Sequence, residues 1–284
     1  MRKLKFTKMQ GAGNDYIYIN GFDCEIEDKE KAALELSNRH FGIGSDGLVF
    51  ILPSQVADFR MQMFNSDGSE AEMCGNASRC VGKFVFDNKL TTKKELSLET
   101  KAGIKYISLL EGDEIRRNVR VDMGEPILDP LQIPVNINEQ PVLNYPLDID
   151  GKIWNISCVS MGNPHAVTFL KPDVLPHLDL EGIGPKFETN KIFPKKTNTE
   201  FIEVVNRNTI KMRVWERGAG ETLACGTGAC ASVVAAVLNG YCDRTVTVHL
   251  TGGSLYIEWK ESDNHVYMSG EAVTSFEGEV YYED

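Results

Sequence analysis

The chain contains two versions of one short motif, MCGNASRC at 73–80 and ACGTGAC at 224–230. In each version a cysteine stands directly before a glycine and a small polar residue, and a second cysteine follows within six positions. A chain of 284 residues is long enough for two domains of modest size. One motif recurring in each half therefore predicts an internal duplication.

Other residues recur at nearly the same spacing as the two motifs. Four pairs keep the same order at offsets of 149 to 151 residues: Asn14 and Asn163, Asn65 and Glu216, Glu70 and Glu221, Cys74 and Cys225. Asn65 and Glu216 each follow an aromatic residue as well. These anchors predict two divergent copies of one fold, related by pseudo-symmetry.

Both halves have the pattern of mixed α/β structure. Alternating apolar residues predict strands at 3–9, 16–20, 47–52 and 59–65, and a hairpin over 245–259 that turns at Gly252 and Gly253. Helices are predicted over 28–40, which ends in basic residues, over 75–88, and over 226–240. In the second helix, Ala77, Val81, Phe84 and Val85 form one apolar face, whereas the third is apolar nearly all round and must be buried.

These elements predict an α/β (α+β) fold of two pseudo-symmetric domains. Each domain is expected to be a curved mixed sheet or barrel around a central helix. We predict domains at 1–124, completed by a C-terminal strand at 273–284, and at 125–272. The segment 112–127 is predicted to cross from one half to the other.

Composition excludes several classes of function. A net charge of -11 argues against nucleic-acid binding, and no stretch approaches the roughly 20 apolar residues of a membrane span. The first residues lack the apolar region of a signal peptide, so a cytoplasmic protein is expected. Seven cysteines make a poor disulfide framework, and their spacing does not match structural zinc sites, so no metal is predicted.

A cysteine at a helix start has distinctive chemistry. The first-turn amides have no partner within the helix, and the helix dipole favours negative charge there. This predicts a lowered thiol pKa at Cys74 and Cys225. Glycine lets an anion approach the same amides, so Gly75-Asn76 and Gly226-Thr227 are candidate carboxylate cradles.

Two such thiols suit the inversion of a carbon centre. Inversion requires a base that removes a proton from one face and an acid that delivers a proton to the other. A thiol needs only a modest shift from its usual pKa of about 8.5 to do this near neutrality. The remaining cysteines are interpreted as buried apolar residues.

The longer segments KMQGAGNDY, FNSDGSEAEMCGNASRC, SMGNPH and WERGAGETLACGTGACA closely resemble the diaminopimelate epimerases. The resemblance runs nearly end to end. It implies an isomerase that needs no cofactor and interconverts LL- and meso-diaminopimelate, a step toward lysine and peptidoglycan. A homodimer is expected from the resemblance alone.

The resemblance also implies roles for individual residues. Cys74 and Cys225 would be the acid/base thiols, and His165 and Glu216 would adjust their proton affinity. The residues that would bind substrate are Asn14, Asn65, Gly75, Asn76, Asn163, Asn198, Glu216, Arg217, Gly226 and Thr227. One position departs from some relatives, because Gly47 stands where they carry a glutamine that contacts substrate.

Three alternatives remain open from the residues. Proline racemases and hydroxyproline epimerases also place two cysteines at glycine-rich helix starts, although the asparagines and WERGAGET favour diaminopimelate. A thiol redox protein is a second alternative, but neither cysteine lies in a C-x-x-C motif. A non-catalytic amino-acid-binding protein would need the carboxylate cradles but not both thiols.

Overall fold

The computed structural model of the protein describes residues 2–283. The chain forms two compact units. Unit 1 comprises Met1–Asp122 and Ser269–Asp284, and unit 2 comprises Met123–Met268. The limits of these units lie two to four residues from the domain limits that the sequence suggests, 124 and 272.

The described residues form seventeen strands and four α-helices. The strands are β1 (Arg2–Gly11), β2 (Asn14–Asn20), β3 (Gly47–Leu52), β4 (Phe59–Asn65), β5 (Glu70–Ala71), β6 (Glu95–Thr100), β7 (Gly103–Gly112), β8 (Arg116–Asp122), β9 (Tyr145–Ile149), β10 (Lys152–Ser160), β11 (Pro164–Leu170), β12 (Asn198–Asn206), β13 (Thr209–Glu216), β14 (Gly220–Thr222), β15 (Thr245–Leu250), β16 (Gly253–Trp259) and β17 (Val266–Tyr282). The helices are α1 (Lys29–Ser37), α2 (Gly75–Asp87), α3 (Leu180–Glu188) and α4 (Gly226–Leu238).

The strands of unit 1 close into a barrel. Hydrogen-bonded neighbours run β1, β2, β3, β4, β6, β7, β8 and β17, and β17 pairs again with β1. The pairs β2–β3 and β4–β6 are parallel, and each is bridged by a helix, α1 or α2. Since α2 contacts β1, β2, β7 and β8, it is enclosed by the barrel.

Unit 2 repeats most of this plan with seven strands. Its neighbours run β9, β10, β11, β12, β13, β15 and β16, with parallel pairs at β11–β12 and β13–β15 bridged by α3 and α4. Helix α4 contacts β16 as well as β10, β11 and β12, which requires the sheet to curve around it. The predicted fold class, two pseudo-symmetric α/β units with a central helix in each, is confirmed.

The burial of the central helices agrees with the sequence pattern in α4 but exceeds it in α2. Helix α4 is buried almost all round, as its composition predicts. Helix α2 is also buried from Gly75 to Val85, not only on the predicted apolar face. Its Lys83 amine is satisfied by Asp87, the Glu114 carbonyl and Thr274 Oγ1, so a charged residue is tolerated inside the barrel.

Three predicted boundaries were wrong or shifted. Helix α1 ends at Ser37, so Arg39 and His40, the basic residues at the end of 28–40, lie beyond it. Within the predicted crossover 112–127, Arg116–Asp122 form strand β8, paired with β7 inside unit 1, and the chain passes to unit 2 only at Met123. In the hairpin of β15 and β16, Leu250 pairs with Gly253, so the turn is Thr251-Gly252. No helix among residues 2–283 is long and apolar enough to cross a membrane.

Candidate active site

Both motif cysteines occupy the position directly before a central helix. Cys74 and Cys225 have extended backbone angles, and neither side chain caps its helix. The first helical hydrogen bonds run from Ser78 N to Cys74 O and from Ala229 N to Cys225 O, both 2.9 Å. The amides between these residues therefore precede the helical ladder, as a cradle for a carboxylate requires.

In unit 1, Cys74 lies among neutral polar side chains. Its Sγ is 3.3 Å from Asn14 Oδ1, and Asn76 Nδ2 is 3.4 Å from the same oxygen. Asn76 is only 2% exposed, and its own Oδ1 is buried without a hydrogen-bond partner. An unsatisfied acceptor beside a thiol and free amides is suited to a bound ammonium or N–H group.

Tyr16 is a site residue that the sequence reasoning missed. Its buried phenol lies close to Asn14 and Cys74, and burial raises its pKa well above the ordinary range, with further increases from Cys74 and Asp46. The phenol therefore stays protonated and can donate. The internal repeat could have identified Tyr16 as a site residue, because Tyr16 is related to His165 by the same offset of 149 as Asn14 and Asn163.

Strand pairing explains the glycine at position 47. Tyr16 pairs with Gly47 on parallel strands β2 and β3, as His165 pairs with Asn198 on β11 and β12. A Cβ on Gly47 would lie 2.1 Å from the Phe64 carbonyl oxygen and 2.8 Å from Tyr16 Cε1. In this chain no side chain fits at position 47, because the Tyr16 ring and the Phe64 carbonyl take the space.

In unit 2, Cys225 lies among ionisable groups. Burial raises the pKa of its thiol well above the ordinary value, and the carboxyl groups of Glu216 and Glu200 raise it further. The helix-start effect predicted from sequence is outweighed, so the prediction of a lowered pKa is wrong for Cys225. Burial also raises the pKa of Glu216, which hydrogen-bonds to Thr222. Thr227 Oγ1 lies 3.5 Å from the thiol sulfur.

A buried pair stands beside this thiol. His165 Nδ1 lies 2.7 Å from Glu200 Oε1, and both side chains are 0% exposed. The second ring nitrogen, Nε2, is 3.0 Å from Asn163 Oδ1. The carboxylate can only accept, so it fixes a proton on Nδ1 and holds the ring in place. Glu200 Oε2 is buried without a partner.

Sequence reasoning missed Glu200 and Gly228. Glu200 lies within the buried stretch of β12, where a carboxylate is uncommon and only its position in the strand could have drawn attention. A Cβ on Gly228 would lie 2.5 Å from Glu200 Oε1 and 3.2 Å from Cys225 Sγ. Gly228, rather than Gly226 alone, therefore lets the carboxylate and the thiol approach the helix start.

The remaining predicted binding residues are two asparagines that hydrogen-bond within the protein and one exposed arginine. Asn198 is buried, and its amide donates to Pro164 O at 3.0 Å and accepts from Arg217 N at 2.8 Å, so it fastens the Arg217 loop to the sheet. Asn65 Nδ2 contacts Ser69 Oγ at 3.0 Å. The exposed Arg217 guanidinium donates to the Lys195 carbonyl and has no ion-pair partner among residues 2–283. It can still receive a carboxylate.

The other five cysteines lie away from the two helix starts. None of the seven cysteines, which all lie within residues 2–283, forms a disulfide. Burial raises the pKa of Cys80 to about 11 and that of Cys158 to about 12, which keeps both as inert thiols. In the part of the chain that the structure describes, no cluster of three His, Cys, Asp or Glu side chains is arranged to hold a metal ion.

The fold defines the broad class of protein. A phenazine biosynthesis protein of the PhzF family from Bacillus anthracis has the same fold, with a TM-score of 0.70 over 99% of this chain and 100% of that chain. At 18% sequence identity this likeness concerns the fold alone. The chain therefore has the same duplicated α/β fold as this PhzF-family protein.

Sequence comparison identifies the particular family. The diaminopimelate epimerase family profile matches residues 6–128 and 157–275, one match in each half. The curated diaminopimelate epimerase of Acetivibrio thermocellus is 60% identical over 278 residues, 98% of each chain. That of Methanococcus maripaludis strain C5 is 57% identical over 98% of this chain and 99% of its own. The chain belongs to the diaminopimelate epimerase family.

Proposed function

We propose that this protein is an isomerase that interconverts LL-2,6-diaminopimelate and meso-diaminopimelate without a cofactor, in the synthesis of lysine and peptidoglycan precursors. One observation carries the proposal. The two halves of a duplicated fold each place a cysteine at the unsatisfied start of a buried helix, in a chain 60% identical to a protein named for this activity.

The chemistry follows from the groups at the two helix starts. The thiolate of one cysteine takes the Cα proton, and the electron pair stays on carbon. The thiol of the other cysteine gives its proton to the opposite face, and the two sulfurs exchange protonation states. First-turn amides at Gly75-Asn76 and Gly226-Thr227 stabilise the charge that develops on the substrate carboxylate.

Because carboxyl groups lie near Cys225, the binding of substrate changes the pKa of this thiol. Burial, together with the charges of Glu216 and Glu200, raises the pKa of the Cys225 thiol in the free protein. A substrate ammonium group bound beside Glu216 offsets their charge, so the thiol pKa falls when substrate arrives. His165, which Glu200 holds in place, contributes to the same electrostatic environment around the Cys225 thiol.

Recognition of the distal end of the substrate falls to an exposed arginine and several less exposed amides. Arg217 offers a guanidinium for bidentate binding of the distal carboxylate. Asn14, Asn65, Asn163 and Asn198 supply or position amides for the two amino-acid ends. This pairing of a cation with several amides suits a diamino diacid better than a cyclic imino acid, which has one carboxylate and one ring nitrogen.

The cellular setting of the protein is also a proposal. Seven cysteines without a disulfide among them suit a reducing compartment, so we place the protein in the cytoplasm. The homodimer implied by the resemblance would be checked by light scattering after size exclusion at several protein concentrations.

The decisive test is proton exchange at carbon. Reduced enzyme without added pyridoxal phosphate or metal should convert the LL isomer to the meso isomer in deuterium oxide, with deuterium at Cα of the product. Proline, hydroxyproline, lysine and glutamate serve as competing substrates. Turnover of proline but not diaminopimelate would replace the proposed substrate, and product without Cα deuterium would overturn the two-base chemistry.

A further inference from the structure

A chain of charged side chains ends at the amide that contacts Cys74. Asn14 Nδ2 donates to Asp46 Oδ2 at 2.7 Å, and the same carboxylate oxygen accepts from Asp15 N at 3.1 Å. Arg39 Nη2 lies 2.9 Å from Asp46 Oδ1 and 2.7 Å from Asp15 Oδ1. Lys8 Nζ pairs with Asp15 at 2.7 Å. The carboxyl of Asp46 is thus held from two sides.

This arrangement decides which way the Asn14 amide faces. A carboxylate paired with arginine can only accept hydrogen bonds, so the nitrogen of the amide must point toward Asp46. Its oxygen then points the other way, to within 3.3 Å of Cys74 Sγ and 3.4 Å of Asn76 Nδ2. The thiol consequently faces an acceptor and must itself be the donor.

Asp46 also joins the two loops that carry predicted substrate contacts. Its backbone N–H donates to Asp15 O at 2.8 Å, and its carbonyl accepts from Ser66 N at 3.0 Å. Asp15 follows Asn14 and Ser66 follows Asn65, so one residue fixes the backbone of both loops. By strand register the residue of unit 2 that corresponds to Asp46 is Thr197, because Gly47 corresponds to Asn198. A carboxylate at this position therefore belongs to the first unit only.

We propose that Asp46 is a positioning residue that orients the Asn14 amide so that its oxygen accepts a hydrogen bond from the Cys74 thiol, which keeps this thiol in its acid form until substrate binds. The inference rests on the proposed function for its catalytic meaning, since it assigns the resting protonation of one of the two thiols. A hydrogen bond to the protonated form disfavours ionisation.

The test uses Asp46→Asn, which is nearly isosteric but can donate as well as accept, so the Asn14 amide is free to turn. Alkylation of each cysteine by iodoacetamide at pH 7 is followed by peptide mass spectrometry. Because the thiolate is the nucleophile, Cys74 should be alkylated about three to ten times faster, with Cys225 unchanged. The kcat should fall, with little change in KM.

Two further variants separate orientation from other effects. Asp46→Glu keeps an acceptor-only group and should restore slow alkylation of Cys74. In an Asn14→Ala background, Asp46→Asn should have no further effect, because the amide it orients is gone. The matched control is Asp23→Asn, since Asp23 accepts from Asn20 Nδ2 at 2.6 Å in an exposed pair within unit 1.

Three outcomes would overturn the inference. One is equal acceleration at Cys74, Cys225 and the buried Cys80, which would mean general loosening of the fold. Another is a full effect of Asp46→Asn in the Asn14→Ala background, which would mean that charge acts on the thiol directly. The third is no change at Cys74. Alkylation needs no turnover, so these results stay interpretable even if the deuterium test rejects the epimerase.

Discussion

The two helix starts share a fold but not an environment. Cys74 is partly exposed and lies among amides and a phenol, whereas Cys225 is buried among two carboxyl groups and an imidazole. The matched positions carry different side chains, Tyr16 opposite His165 and Asn65 opposite Glu216. Duplication therefore accounts for the two matched thiols, and the differing residues around them give each thiol its own surroundings.

The largest expected effect tests whether the two thiols are equally needed. Cys74→Ser and Cys225→Ser should each lower the epimerisation rate by about 10²- to 10⁴-fold in both directions, because a hydroxyl is too weak an acid to replace the thiol. Cys230→Ser, five residues further along in the second motif, is the matched control. Near-normal rates in either active-site variant would contradict a mechanism that needs both thiols.

A smaller effect is expected from the charge beside Cys225. Glu200→Gln removes one of the charges that raise the Cys225 pKa, so this thiol should be alkylated faster while Cys74 is unchanged. Loss of the charged bond to His165 should lower kcat/KM about 10- to 100-fold.

The matched control for that variant lies on the same strand. Glu203→Gln on β12 breaks a pair with Lys211 that does not contact the thiol. If both variants changed Cys225 alkylation equally, the assignment of the effect to Glu200 would be wrong.

A change of about three- to tenfold in kcat/KM is expected at Tyr16. Tyr16→Phe removes an O–H donor near Cys74, so alkylation of Cys74 should slow, opposite in sign to the effect of Asp46→Asn. Tyr18→Phe is the control, since Tyr18 is equally buried on the same strand and its hydroxyl lies 3.5 Å from the Ala77 carbonyl. Equal behaviour of the two variants would assign Tyr16 a packing role only.

The smallest expected effect is on stability at alkaline pH. Buried cysteines bind a proton in the folded state that an unfolded chain loses above about pH 8.5, so unfolding releases protons and stability falls as pH rises. Cys158, with a pKa of about 12, contributes up to about 1.4 kcal/mol per pH unit across pH 9 to 11.

Cys158→Ala should reduce the number of protons released on unfolding by one. The melting temperature, measured between pH 7 and 10.5, should therefore fall less steeply with pH in this variant. Cys24→Ala, at a partly exposed position, is the control. An unaltered slope in the Cys158 variant would contradict the assignment.

Sequence predicted the features that depend on local pattern. Strands 47–52 and 59–65 have the predicted limits, and the helix starts at Gly75 and Gly226 follow from the cysteine motifs. Glu200 and Asp46 were missed because their importance comes from partners 35 and 32 residues away, His165 and Asn14. The thiol environment likewise depends on burial, which charge patterns along the chain do not reveal.

The last strand has a consequence for how the protein comes into being on the ribosome. Strand β17 pairs with β1 from Arg2↔Tyr282 onward, so two strands separated by more than 250 residues of chain hydrogen-bond to one another. Unit 1 therefore cannot close its barrel until β17 has been synthesised, and the edges of β1 and β8 stay unpaired while unit 2 is made. A truncation of even ten residues at the C-terminus should damage the N-terminal barrel that carries Cys74, leaving the chain's middle unit as the part able to fold first.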